Sequence, residues 1–235
     1  MQMKTIKPPT VQKAVYEEVI EALLSGRIAP GDKITIEGLA KSMGVSIMPV
    51  RAALQKLEGE NFITVGKNRR IIVTELTSES LVELLEIRLI LEGHAAEKAC
   101  TMRSEESLEA LKKINEQCEN AKDADTYLLA NKEFHRIIYS QAKMPMLDEI
   151  IFSLWRRVSP YLRILLSYEE DFDAGNFSKT HRGMLKAFRD RDKKAMKKWL
   201  TQDLTEAATF VQRRLDKERI SGTNPIRRYL KQEPK

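Results

Sequence analysis

Apolar residues recur at helical spacing along most of this chain. The first such pattern covers residues 11–24 and stops at Gly26. Residues 39–57, LAKSMGVSIMPVRAALQKL, then predict two helices across a tight turn, because Gly44 tolerates positive φ and Ser46 is of a type that caps helices. This is the layout of a helix-turn-helix, although two amphipathic helices joined at a glycine also occur as ordinary core hairpins.

An alternating segment follows these helices. Residues 61–74, NFITVGKNRRIIVT, predict a β-hairpin with GKNR as its turn. Three helices and a small hairpin together form a winged helix-turn-helix. The cations Lys67, Arg69 and Arg70 at the tip suit DNA phosphates or a minor groove, although a charged turn is often simply solvated.

From residue 76 onward the pattern is helical only. Six helical stretches are evident, at residues 77–100, 105–120, 124–141, 146–168, 179–189 and 193–215. We therefore predict a mainly α protein, with a winged helix-turn-helix domain at residues 1–75 and an all-α bundle of six or seven helices at residues 76–215. Residues 216–235 are expected to form a basic C-terminal tail.

The positive charge of the chain is unevenly distributed between its segments. The chain has 40 Lys/Arg and 34 Asp/Glu, a net charge of +6 that permits contact with nucleic acid without establishing it. Residues 1–75 carry +3 and residues 213–235 carry +5, which leaves −2 for the middle, where nucleic acid is not expected to bind. Cys100 and Cys118 predict two reduced thiols, and without a signal or membrane segment we expect a cytoplasmic protein.

Motifs in both halves resemble one known family. Residues 11–75 resemble the GntR-type winged helix-turn-helix through IAPGDKI, LA..MGVS and PVRAAL. Residues 77–215 resemble the FCD ligand-binding domain of the FadR-type branch through RLILEGHAAEKA, NKEFHRIIY and THRGMLKAFRDRDKKAM. The resemblance implies a transcription regulator, a repressor, that binds a palindromic operator in double-stranded DNA as a homodimer and responds to a small organic acid.

The resemblance also indicates which residues contact DNA. Where the family commonly has arginine and threonine, this chain has Ile47 and Met48, which either contact thymine methyl groups or pack within the protein. Arg51 keeps its match and is expected to contact guanine or phosphate, whereas the usual glycine of the wing is replaced by Arg70. The expected DNA contacts are Ser46, Ile47, Met48, Arg51, Gln55, Lys67, Arg69 and Arg70.

A metal site is a further implication of the resemblance. The family binds a divalent metal with an aspartate and a histidine four residues apart, and with two later histidines. The corresponding residues here are Asn131, His135, His181 and Asp203. Two imidazoles, an amide oxygen and a carboxylate can still hold Zn²⁺, Ni²⁺ or Mn²⁺. The alternative is a polar pocket without metal.

The candidates for binding the effector acid are Arg88, Arg156 and Tyr161. Arg88 lies in a leucine-rich stretch, where its guanidinium pairs either with an effector carboxylate or with Glu92 at i+4. A competing function is a metal-dependent enzyme that uses the two-histidine centre. The sequence shows no general base beside the ligands, and an enzyme has no use for a winged helix, so we favour the regulator.

Overall fold

The computed structural model describes residues 11–24, 27–28, 30–60, 62–66, 70–75, 77–166 and 174–221. The chain divides into two compact units, and the division falls between residues 76 and 77. The first unit contains helices and a small sheet, and the second contains helices in all of its described elements. The predicted fold class, a winged helix-turn-helix followed by a helical bundle, is confirmed.

The N-terminal unit packs two helices and a three-stranded sheet around a third helix. Its elements are α1 (Val11–Leu24), β1 (Lys33–Ile34), α2 (Ile36–Met43), α3 (Ile47–Gly59), β2 (Ile63–Val65) and β3 (Ile71–Val73). The strands are antiparallel in the order β1-β3-β2, with Ile63 opposite Val73. Val50 and Leu57 of α3 are fully buried, as is Ile71 of β3, so the helical and alternating apolar patterns meet in one core.

The turn between α2 and α3 follows from local chemistry. Thr35 begins α2 by accepting a hydrogen bond from the Gly38 amide at 3.1 Å. Gly44 ends α2 with a φ of 63°, a conformation that glycine adopts without strain. Ser46 is the N-cap residue of α3, as predicted, but its side chain makes no capping hydrogen bond.

The C-terminal unit contains seven described helices. They are α4 (Ser78–Met102), α5 (Glu105–Glu119), α6 (Ala124–Ser140), α7 (Pro145–Leu166), α8 (Ala174–Phe177), α9 (Lys179–Asp190) and α10 (Lys193–Ser221). α4 and α10 pack along each other, α6, α7 and α9 pack against this pair, and α5 packs against α6 and α9. Leu111, Phe134 and Leu200 are among the fully buried core residues.

Two predictions for this unit are wrong: one short helix was not predicted, and the end of the last helix was placed too early. The short α8 lies where only a break between helices was expected, because four residues are too few to show a period. α10 continues to Ser221, so the first residues of the predicted tail are helical. Those residues, DKERIS, have no apolar stripe but include good helix formers. Cys100 and Cys118 are buried free thiols, as expected, and burial raises the pKa of each to about 12.

A methyl group at Gly183 is predicted to destabilise the C-terminal unit. A Cβ at this position would lie 2.2 Å from the ring of Trp199, which is part of the packed interface between α9 and α10. We expect Gly183→Ala to lower the free energy of unfolding by about 1–3 kcal/mol, the usual cost of overpacking. Urea unfolding followed by tryptophan fluorescence measures it, since both tryptophans, Trp155 and Trp199, lie in this unit.

Gly93→Ala is the matched control. Gly93 is also buried and helical, but a Cβ there would meet no described atom within 4 Å beyond its chain neighbours and the backbone of its own helix. This substitution should leave the unit as stable or more stable, by up to about 1 kcal/mol. Equal urea midpoints for Gly183→Ala and Gly93→Ala would show that the Trp199 ring does not restrict the size of the side chain at position 183.

Candidate metal centre and DNA-binding surface

Three ionisable side chains from three helices meet inside the C-terminal unit. His135 of α6, His181 of α9 and Asp203 of α10 have ligand atoms that all lie within 4.8 Å of one another. His135 Nε2 is 3.3 Å from Asp203 Oδ2, and His181 Nε2 is 3.7 Å from Asp203 Oδ1. Both imidazoles are buried and the Asp203 side chain is 15% exposed. These are three of the four residues predicted to bind metal.

The His181 ring is held by aromatic contacts. It stacks on Phe134 at 4.2 Å between ring centres and lies parallel to the Tyr127 ring at 6.3 Å. Neither of its ring nitrogens has a hydrogen-bond partner in the described part of the chain. Burial lowers the pKa of His181 to about 4, although the Asp203 carboxylate opposes this shift, so the ring is neutral at pH 7. An unsatisfied buried nitrogen costs about 1–3 kcal/mol, a cost that a bound metal would remove.

A chain of hydrogen bonds from α4 orients the His135 ring. The Tyr139 hydroxyl donates to Glu92 Oε2 at 2.5 Å, and Arg88 Nε donates to Glu92 Oε1 at 2.6 Å. Burial, reinforced by Glu92, raises the pKa of Tyr139 well above its usual value, so this hydroxyl keeps its proton. The Tyr139 oxygen can then accept from His135 Nδ1, which is 3.0 Å away. The network therefore places a proton on His135 Nδ1.

His135 Nε2 then faces the Asp203 carboxylate in one of two ways. Either Nε2 carries a second proton and donates it to the carboxylate, or both atoms act as acceptors toward a metal ion. Burial raises the pKa of Asp203, but the hydrogen bond and charge of His135, with His181 and Thr180, lower it to about 2. Two imidazole nitrogens and one carboxylate oxygen form a donor set that Zn²⁺, Ni²⁺ and Mn²⁺ accept, so these residues fit a divalent metal.

A cavity of about 450 Å³ opens beside the cluster. His135 and Asp203 line it, together with Asn131, the fourth predicted ligand, which lies one helical turn before His135 on α6. Trp155 and Phe210 are among the apolar residues of its walls, and polar side chains of α9 and α10 also line it. A cavity of this size, with apolar walls and a few convergent polar groups, is typical of a small-molecule site.

The predicted effector residues are distributed unevenly around this cavity. Arg88 lines it, whereas Arg156 and Tyr161 are not among the described lining residues. Arg88 forms the salt bridge with Glu92 that was the alternative to effector binding, and its guanidinium lies 5.1 Å from the centre of the Trp155 ring. Lys179, which the sequence analysis did not single out, is an exposed cation in the cavity lining.

The residues predicted to contact DNA lie on an open surface of the N-terminal unit. Met48 is 70% exposed and Ile47 is 40% exposed, which excludes the alternative that both side chains are used for packing. Arg51 and Gln55 of α3 are also exposed. The surface therefore combines apolar and charged groups on one helix.

The remaining predicted DNA contacts flank this helix. Ser46 is exposed immediately before α3, and Arg70 is exposed immediately before β3. Lys67 and Arg69 lie outside the described residues. The wing thus contributes one described cation, Arg70, at its edge.

Sequence reasoning missed the groups that hold the metal ligands in place. Tyr139 lies at i+4 from His135, so helical spacing could have identified it as a neighbour. Glu92 was noted only as a partner of Arg88. Thr180 Oγ1 donates to Asp203 Oδ1 at 2.5 Å, a contact between two helices that no local pattern reveals.

The winged helix-turn-helix and the all-α domain that follows it define the class of DNA-binding transcription regulators. Residues 11–73 match the model of bacterial regulatory proteins of the gntR family, and residues 83–206 match the FCD domain. The chain therefore belongs to the GntR family of transcription regulators and carries an FCD domain. Family membership excludes the metal-dependent enzyme considered from the sequence.

Individual relatives agree with this assignment. The HTH-type transcriptional regulator McbR of Escherichia coli K12 is 28% identical over 80% of this chain and 86% of its own length. The gluconate operon transcriptional repressor of Bacillus licheniformis is 26% identical over 81% of this chain and 80% of its own length. The solved structure of E. coli McbR covers 87% of this chain and 98% of its own, with a TM-score of 0.76 and 26% identity. No described helix has the length and apolar character of a membrane span.

Acid is predicted to destabilise the metal-free protein through His181. Its pKa is about 4 in the folded chain against 6.5 for an unperturbed histidine, so the unfolded chain binds the extra proton first. The stabilisation is fully present above pH 6.5 and is lost as the pH falls toward 4, by about 3 kcal/mol in all. Urea unfolding in EDTA at a series of pH values measures it.

His181→Phe keeps an aromatic ring in the stack but cannot titrate, so its stability should change less between pH 6.5 and 4. Asp203 titrates below this window, because its pKa is lowered from 3.8 to about 2. His94 is exposed, so His94→Ala should lose as much stability as wild type when the pH falls from 6.5 to 4. Parallel curves for wild type and His181→Phe would show that His181 is not buried in its neutral form.

Proposed function

We propose that this protein is a homodimeric repressor that binds a two-fold symmetric operator in the cytoplasm and responds to a small organic acid in a metal-containing cavity. The observation that carries the proposal is the convergence of His135, His181 and Asp203 beside a cavity of about 450 Å³. A scaffold that served only dimerisation would have no use for buried ring nitrogens without partners. The repressor role is supported by the similarity to a gluconate operon repressor.

Dimerisation follows from the size of the DNA-reading surface. One recognition helix contacts only a few base pairs, too few to specify a site in a genome. A two-fold dimer doubles those contacts and requires two half-sites at a fixed spacing. A palindromic operator is the DNA that matches such a dimer.

On this helix, charge and apolar surface have separate roles. Arg51 supplies the hydrogen bonds and positive charge that recognise guanine or a backbone phosphate. Met48 and Ile47 offer exposed methyl and methylene groups, and the C5-methyl of thymine is the apolar feature of the major groove. The operator should therefore place thymines opposite the N-terminus of α3.

The metal would be held by His135, His181 and Asp203, with Asn131 as the fourth position. When bound, a divalent metal supplies positive charge and open coordination positions that attract a carboxylate. Tyr139 and Glu92 keep the Nε2 lone pair of His135 directed at the site. Because Arg88 is already paired with Glu92, the cations of the cavity lining with exposed side chains for an incoming acid are Lys179 and Arg213.

Metal binding is predicted to depend on the ligands and on the residue that orients one of them. We expect Tyr139→Phe to weaken Zn²⁺ or Ni²⁺ binding by about 10–100-fold, since the His135 ring loses its partner. His181→Ala should weaken it further, because a ligand is removed. Calorimetric titration of the EDTA-treated protein with each metal measures both affinities.

His94→Ala is the matched control, because His94 is exposed and lies outside the cluster. It should bind metal as wild type does. Binding of small carboxylic acids, followed by melting temperature, should require the metal-loaded wild type. An unchanged metal affinity in His181→Ala would remove the cluster from the proposed function.

Recognition of thymine methyl groups by Met48 is testable with modified DNA. Once the operator has been selected in vitro, replacing its contacted thymines by uracil removes only the methyl groups. Each lost methyl contact should weaken wild-type binding about 3–4-fold, from about 0.8 kcal/mol per buried carbon. Met48→Ala should lose the share of this sensitivity that Met48 contributes, so its affinities for the thymine and uracil operators should differ less than those of wild type. Fluorescence anisotropy at fixed salt measures the affinities.

Arg51→Ala is the comparison variant. It should weaken binding to the thymine and the uracil operator alike, by about 1–3 kcal/mol, and the ratio of the two affinities should stay as in wild type. Arg27→Ala changes the same charge at an exposed arginine paired with Glu18 and should have little effect. Equal uracil sensitivity in Met48→Ala and wild type would contradict the role of Met48.

A further inference from the structure

The densest positive charge on the chain lies on α9 and α10. Residues 179–198 contain nine Lys/Arg and two Asp/Glu. The middle of the chain is nearly neutral only because acidic residues elsewhere in it offset this segment. The exposed cations of the two helices form a surface that we name the basic stripe: Lys179, Arg182, Lys186, Arg189, Lys193, Lys194, Lys197 and Lys198.

The two helices present these cations on their outer sides. Thr180, near the start of α9, contacts Asp203 of α10, although only residues 191 and 192 connect the helices, so the two run antiparallel. The cations of α9 recur at intervals of three and four residues, which places them on one face over about 15 Å at 1.5 Å per residue. The opposite sides are buried through residues such as Met184 and Met196.

Few of these charges are neutralised. Arg182 pairs with Glu119 at 3.1 Å, Arg189 with Asp190 at 2.7 Å and Lys197 with Glu97 at 3.6 Å. Among the residues that the structure describes, no ion pair within 4.0 Å involves the other five members, Lys179, Lys186, Lys193, Lys194 and Lys198. Most of the stripe is therefore free to meet a negatively charged partner.

The surroundings of the stripe indicate the chemistry of that partner. None of the large apolar side chains that are exposed elsewhere, such as Ile90 and Leu129, lies between residues 179 and 198. Protein interfaces have an apolar core and are depleted in lysine, and helices that bind membranes insert apolar groups. Backbone phosphates of a nucleic acid require only well-placed cations.

We propose that the basic stripe binds the phosphate backbone of double-stranded DNA next to the operator. The inference rests on the proposed DNA-binding function, because the chain covalently tethers the C-terminal unit to a winged helix that holds DNA and so raises the effective concentration of that DNA. The average charge of the middle segment suggested that it does not bind nucleic acid. That average conceals the separation of charge between α9–α10 and the other helices.

The experiment compares two duplexes, the minimal operator and the same operator with about 20 additional base pairs on each side. Wild type should bind the long duplex more tightly and with a steeper dependence on salt. The variant Lys186→Gln/Lys194→Gln/Lys198→Gln should lose this gain. Its slope of log K against log[salt] on the long duplex should fall by up to about 5, because each protomer of the dimer loses up to three phosphate contacts at about 0.9 each. Its affinity for the minimal operator should not change.

A matched variant, Lys113→Gln/Lys122→Gln/Lys132→Gln, removes the same charge from exposed lysines elsewhere in the unit and should behave as wild type. The inference is overturned if both triple variants lose affinity equally, or if the gain from flanking DNA survives in the stripe variant. It is also overturned if the stripe instead mediates sedimentation with phosphatidylglycerol vesicles while binding to the long duplex is unchanged. Failure of wild type to bind the minimal operator would instead contradict the proposed function.

Discussion

The interior of the C-terminal unit is organised around a buried carboxylate that needs a positive charge beside it. Glu92 and Tyr139 orient the His135 ring so that its Nε2 faces Asp203, and a second imidazole, His181, lies alongside with neither nitrogen hydrogen-bonded among the described residues. These groups come from α4, α6, α9 and α10, so whatever occupies the centre acts on four helices at once. An apolar core of the same volume would be simpler to stabilise, which is why the arrangement points to ligand sensing.

Helical period predicted most of the fold, because long amphipathic helices repeat their apolar residues many times. Where the signal was short or absent, the prediction failed, as for the four residues of α8 and for the C-terminal end of α10. Ser46 shows a different limit. Its residue type favours a cap, yet whether the side chain makes that hydrogen bond depends on a rotamer that sequence does not specify.

For the site, family spacing indicated His135, His181 and Asp203, and the structure brings all three together. No spacing along one helix could show that Thr180 bonds to Asp203, because that contact depends on how α9 packs against α10. The exposure of Met48 likewise depends on the packing of α3, which the sequence left open. Residue types thus identified the candidate metal ligands and DNA contacts, whereas tertiary packing determined which atoms contact each other and which side chains are exposed.

The length of α10 has a mechanical consequence. The helix has 29 residues, and Asp203 lies in its first half, so about 27 Å of helix extends beyond that residue at 1.5 Å per residue. A rigid rod that pivots by about 5° at Asp203 would move its far end by about 2 Å over this length. A displacement too small to alter the contacts around the carboxylate would thus be magnified at the distal end of α10. α10 can therefore convert a small rotation at the cluster of His135, His181 and Asp203 into a larger displacement of its C-terminal end.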